Sequence, residues 1–67
     1  MNFDVDILSQ SGQWKTYAQF AFMSDAVFYA IEVCKIWPDN LVRVSHKDYT
    51  LYYKGGVEVI APDGAPA

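Results

Sequence analysis

Three groups of residues have types and spacings that could do chemistry. Ser45, His46 and Asp48 stand almost side by side and offer a nucleophile, a base and an orienting carboxylate. A triad is defined by hydrogen-bonding geometry, which adjacency in sequence does not supply. In an extended segment Ser45 and His46 point to opposite faces, so the cluster reads as a polar turn. Cys34 is the only cysteine. A reactive thiol needs exposure and a cationic neighbour. Cys34 falls on the apolar side of a helical stretch, where a small buried hydrophobe is expected. Asp4 and Asp6 alternate along a strand and share a face. Two carboxylates are too few oxygen ligands for a calcium or magnesium site. They suit an acidic patch, joined by Glu58 and extended by Tyr52, that docks on Arg or Lys of a partner.

None of these groups makes a catalytic constellation, and no cofactor or metal is expected. Gly55-Gly56 lacks the Lys-Ser/Thr and following helix of a phosphate loop. The single Cys and single His give no zinc spacing. The chain is therefore expected not to be an enzyme.

Size and charge narrow the remaining classes. At 67 residues the chain makes one domain. Such a domain buries only about 60% of its unfolded surface. With no internal disulfide to help, it needs a dense core, a partner, or both. A hydrophobic content of 52%, with 16% aromatic, supplies the core. The net charge of −3 disfavours direct nucleic-acid binding, which normally uses a basic stripe. It suits a basic protein surface instead. No apolar run approaches the ~20 residues that span a bilayer, so no membrane contact is expected. No secretory signal opens the sequence. With the lone cysteine, this points to the cytoplasm.

The elements follow from periodicity. Phe3, Val5 and Ile7 alternate with Asp4 and Asp6, a half-buried strand. A polar loop with Gly12 leads into "WKTYAQF", where Trp14, Thr16, Ala18 and Phe20 are expected on one face. Ser24 reads as a helix N-cap, and Met23 and Phe28 have hydrophobic-staple spacing around it. Pro38 ends the helix, which is predicted over 25–36. "LVRVSH", "YTLYYK" and "VEVI" read as three more strands, the last two joined by Gly55-Gly56. The order β-β-α-β-β-β predicts an α+β fold: an antiparallel sheet of four to five strands with one helix packed on one face. The domain spans 1–60, with 61–67 a frayed tail.

The helix is apolar nearly all round. Ala26, Val27, Ala30, Ile31, Val33, Cys34 and Trp37 form the expected core side. Phe28, Tyr29 and Ile36, with Glu32 beside them, make a solvent-side strip. Two readings stand: the C-terminal tail or a loop covers the strip or Tyr29 stays in water as ordinary surface, or, since aromatic side chains are enriched at protein contacts, the strip meets a partner protein or a second copy of the chain. A tyrosine-bearing sheet could alternatively stack bases, with Lys15, Arg43 and Lys54 as its cations.

The run "WKTYAQFAFMSDAVFYAIEVCKIWPDNLVRV", followed by a Tyr-rich strand, resembles small accessory proteins of phages and mobile elements, among them anti-CRISPR proteins of similar size, acidity and element order. The resemblance implies an inhibitor that binds a host nucleoprotein complex and blocks its nucleic-acid surface. It carries over no site residues. The expected partner-binding residues are those read from the faces above: Asp4, Asp6, Phe28, Tyr29, Glu32, Ile36 and Tyr52.

Overall fold

The computed structural model describes residues 2–47 and 50–60. Asp48, Tyr49 and the tail 61–67 lie outside the described residues. Five strands and one helix follow in the order β1 (Phe3–Leu8), β2 (Trp14–Phe20), α1 (Met23–Ile36), β3 (Val42–Ser45), β4 (Thr50–Lys54) and β5 (Val57–Val59). The strands form one sheet in the order β2-β1-β3-β4-β5, and every neighbouring pair is antiparallel. This is the expected α+β architecture. Helix α1 joins β2 to β3, so β3 arrives on the far side of β1 and makes β1 a central strand.

The turns depend on backbone freedom that only glycine offers cheaply. Gly55 and Gly56 take φ of 65° and 89°, the two positive values a tight primed turn requires between β4 and β5.

One face of the sheet carries Val5 and Ile7 of β1, Val42 and Val44 of β3, and Tyr53 of β4. They bury against Ala26, Ala30, Val33 and Cys34 of α1. The two alanines lie at the contact and let the helix backbone approach the sheet. Phe3, Phe20, Val27, Tyr29, Ile31 and Leu51 pack around this centre. Cys34 is fully buried there, which fits a packing role.

Three local expectations need correction. Helix α1 starts at Met23, with Phe22 in extended conformation as its N-cap and no side-chain cap bond. The Phe22 carbonyl accepts the first helical bond from the Ala26 N–H at 3.2 Å. Ser24 thus lies inside the first turn, and the Met23–Phe28 staple spacing is lost. Only Ala21 and Phe22 separate β2 from α1. Asp25 remains in the first turn, where the helix dipole favours it. At the other end Trp37 is exposed rather than core. It makes an edge contact with Tyr17, the ring centroids 6.1 Å apart, because it lies past the last helical turn.

The third correction concerns β2. Val5 pairs with Ala18, but Asp6 pairs with Thr16, so Tyr17 is an extra residue in a β-bulge. A bulge breaks the two-residue alternation. Ala18 and Phe20 therefore share the helix side with Val5 and Phe3. Thr16 and Trp14 lie with Asp6 and Leu8 on the open side.

Burial raises the Tyr53 phenol above the ordinary tyrosine value, helped by the nearby Glu58 and Cys34. The folded state thus holds this proton more tightly than the unfolded chain. Stability from Tyr53 is complete below the unfolded value of about 10 and falls as pH rises through it. Denaturant melts between pH 8 and 11 should show this alkaline loss, and Tyr53→Phe should reduce it. An unchanged slope in the variant would place the alkaline sensitivity elsewhere.

Candidate interaction surfaces

Two surfaces bear on function: the open face of the sheet and the outer side of α1. The open face is organised by a carboxylate that is almost wholly buried. Asp6 is 2% exposed. On one side its β1 position pairs with Thr16 of β2; on the other it pairs with Arg43 of β3. The Thr16 hydroxyl donates to Oδ1 at 2.7 Å. Oδ2 accepts from Arg43 Nε at 2.9 Å and from Ser45 Oγ at 3.0 Å. Arg43 Nη2 lies 2.8 Å from the same oxygen. Each buried ion loses hydration worth several kcal/mol, and only complete hydrogen bonding offsets that loss. Asp6 achieves it with donors from both neighbouring strands.

Arg43 is in turn covered. Its Cζ lies 4.2 Å from the centroid of the Trp14 ring, a cation–π contact. Trp14 also meets Tyr52, ring centroids 6.2 Å apart, and Tyr52 sits directly beside Arg43 in the β3–β4 ladder. The open face thus carries a row running Thr16, Asp6, Arg43, Tyr52, Val59 across five strands, with Trp14 folded over its centre.

This geometry rearranges the expected acidic patch. Asp4 and Asp6 do share the open side, but Asp6 is sealed and paired, so it offers no charge to solvent. Glu58 pairs with Tyr53, placing it at the helix side of the edge strand β5. It cannot join Asp4. Tyr52 lies on the open face as expected. Lys15, opposite Ile7 after the bulge, lies on the helix side and leaves the expected cluster with Arg43 and Lys54. Ser45 bonds to Asp6 and His46 stacks on Phe3 at 4.4 Å between ring centroids, so the two face different neighbours. Trp14, Thr16 and Arg43 are the residues that sequence reasoning missed as a group. The only signal was their chemical complementarity to Asp6, because the bulge that unites them leaves no mark in the alternation.

The outer side of α1 splits the expected strip. Phe28 and Ile36 are 68% and 67% exposed. Glu32, between them, pairs with Lys35 at 3.2 Å. Tyr29 is half-buried: its ring lies 5.3 Å from that of Phe20 and packs against the core. Phe20 reaches it because it pairs with Phe3 on the helix side of the sheet.

Among the described residues no group of three His, Cys, Asp or Glu side chains could hold a metal ion, and no helix is long and apolar enough to cross a membrane. Comparison with known proteins finds no matching family model, no matching curated sequence and no matching solved structure.

Two substitution sets separate these roles. Asp6→Asn leaves the Arg43 guanidinium without its counter-charge and should cost about 3–5 kcal/mol. The double change Asp6→Leu with Arg43→Met should cost clearly less than the sum of the two single changes, as a chemical-denaturation double-mutant cycle would show. On the helix, Tyr29→Glu should destabilise by at least about 1 kcal/mol, while Phe28→Glu should stay within about 0.5 kcal/mol of the parent.

Proposed function

We propose that the protein is a non-enzymatic binding module that contacts another protein through the outer side of α1. The observation that carries this reading is the paired exposure of Phe28 and Ile36, each about two-thirds open to solvent on a helix whose other side is fully used by the core. Leaving two such side chains in water forgoes burial worth roughly 1.5–3 kcal/mol each. In a chain of 67 residues, whose core is small, that is a large fraction of the total stability. A partner recovers it.

Asp25 and Glu32 flank Phe28 along the same side, Glu32 paired with Lys35, and the chain has a net charge of −3. An apolar strip edged by carboxylates complements a basic protein surface of the kind that holds nucleic acid. The narrower reading is a phage- or mobile-element-encoded inhibitor. It would bind a host defence complex of the CRISPR effector type in the cytoplasm and block its nucleic-acid surface. Small size, acidity, the strip and the resemblance to anti-CRISPR proteins support it.

A second reading, nucleic-acid binding on the sheet, gains an aromatic neighbour for Tyr52 in Trp14. It loses a basic track, because Lys15 lies on the other side and Arg43 is already paired with Asp6, which leaves Lys54 as the unpaired cation of the expected three on that face.

Immobilised protein should capture an effector complex, and the captured complex should lose target nucleic-acid binding. Phe28→Ala and Ile36→Ala should each weaken capture about tenfold or more while circular dichroism stays unchanged. Failure to retain any component of such complexes removes the inhibitor reading. A concentration-dependent mass in light scattering that Phe28→Glu abolishes would assign the strip to a second copy instead. A salt-sensitive gel shift by the isolated protein would favour the nucleic-acid reading.

A further inference from the structure

We infer that the open sheet face holds a socket for a carboxylate side chain of a partner protein, formed by Arg43 between Trp14 and Tyr52. This site is separate from the strip on α1, which covers the opposite face of the sheet.

The inference starts from the donors of Arg43. A guanidinium has five N–H donors in a fixed planar fork. Nε and Nη2 both reach one oxygen, Asp6 Oδ2. Among the described residues, the charge-assisted bonds of Arg43 all go to Asp6, which uses two of its three nitrogens. The side chain is 17% exposed, so the buried pair is not wholly sealed from solvent. Trp14 covers the guanidinium at 4.2 Å, and Tyr52 flanks it on the next strand.

Charge favours an anion beside Arg43. Asp6 shares its negative charge among four donors, two of them neutral hydroxyls of Thr16 and Ser45, and it lies on the inner side of the guanidinium. Lys54 sits on the same sheet face as Tyr52, two residues along β4. The geometry fits a planar acceptor, since a fork of parallel N–H groups matches a carboxylate in a bidentate pair. The Tyr52 ring, beside Arg43 on β4, suits the methylene groups of a Glu or Asp stem. Pre-organisation is unusually complete: the buried Asp6 fixes Arg43 before any ligand arrives, so little side-chain entropy remains to be lost on binding. Trp, Arg and Tyr are also the residue types that dominate binding energy at protein contacts.

The same charges select a protein over a nucleic acid. A phosphate backbone needs a stripe of cations. Here the acids outnumber the bases eight to five, and Asp4 lies on the same sheet face. One localised carboxylate in a partner segment avoids that repulsion.

Amide and side-chain NMR of the labelled full chain tests the socket. The probe is a blocked hexapeptide, Gly-Ser-Glu-Glu-Ser-Gly, beside its Gln-Gln counterpart, inorganic phosphate and a single-stranded oligothymidylate. The Glu peptide should shift the Trp14 indole N–H, the Arg43 Nε–H and the Tyr52 amide in a saturable way. The Gln peptide should bind at least about tenfold more weakly. Tyr52→Ala should weaken the Glu peptide severalfold, and Phe28→Ala should leave it unchanged, which separates this site from the helix strip. The proposal is overturned if these three signals stay still at millimolar Glu peptide. Equal response to the Gln peptide, or saturation by phosphate or oligothymidylate alone, overturns it as well.

Discussion

The buried ion pair of Asp6 and Arg43 is the constraint around which the sheet is organised. A carboxylate at 2% exposure on a central strand is tolerable only if each buried oxygen finds a donor. The sheet meets that demand by register. The β1–β3 ladder places Arg43 directly opposite Asp6, with Ser45 one step along. The β1–β2 ladder supplies Thr16, but only through the bulge at Tyr17. Without the extra residue, Tyr17 would face Asp6 and the Thr16 hydroxyl would point toward the helix. A slip of one residue between β1 and β3 would strand a charge, and one between β1 and β2 would remove the Thr16 hydroxyl, so the pair penalises wrong pairings.

The same bulge sets both surfaces. It sends Trp14 over Arg43 on the open face while Phe20, paired with Phe3 on the other side of the bulge, stays under Tyr29 on the helix face. The open face thereby acquires a rigid Trp–Arg–Tyr centre. The helix loses Tyr29 from its solvent side and keeps Phe28 and Ile36 there. A single inserted residue thus divides the aromatic side chains between core, sheet surface and helix surface. The division also limits what the sheet can do. With Arg43 anchored and Lys15 on the other side, no basic track crosses the open face.

Much of the fold was legible because it rests on local periodicity. The alternation of Phe3, Val5 and Ile7, the apolar run of the helix, its stop at Pro38 and the Gly55-Gly56 turn each act over a few residues, and each element lies within a residue or two of its predicted bounds. The helix starts at Met23 rather than after Ser24, and no side-chain cap bond forms there. The candidate surfaces were legible only in part. Phe28, Glu32 and Ile36 follow from helical geometry. Asp4 and Tyr52 follow from strand alternation. Asp6 was read as a solvent-facing acid because alternation tells which side a residue faces, not what lies across from it.

The amino-acid order by itself determined the element sequence, the α+β class, the core residues Val5, Val42, Val44, Ala30 and Cys34, and the absence of an internal disulfide. These depend on interactions between neighbours in sequence or on simple counts. Only the tertiary structure decided that β3 lies beside β1, that Tyr17 is bulged, and that Asp6, Thr16, Arg43 and Ser45 meet. Those contacts join residues 10 to 39 positions apart. Their energies depend on register and desolvation, which exist only once the strands are side by side.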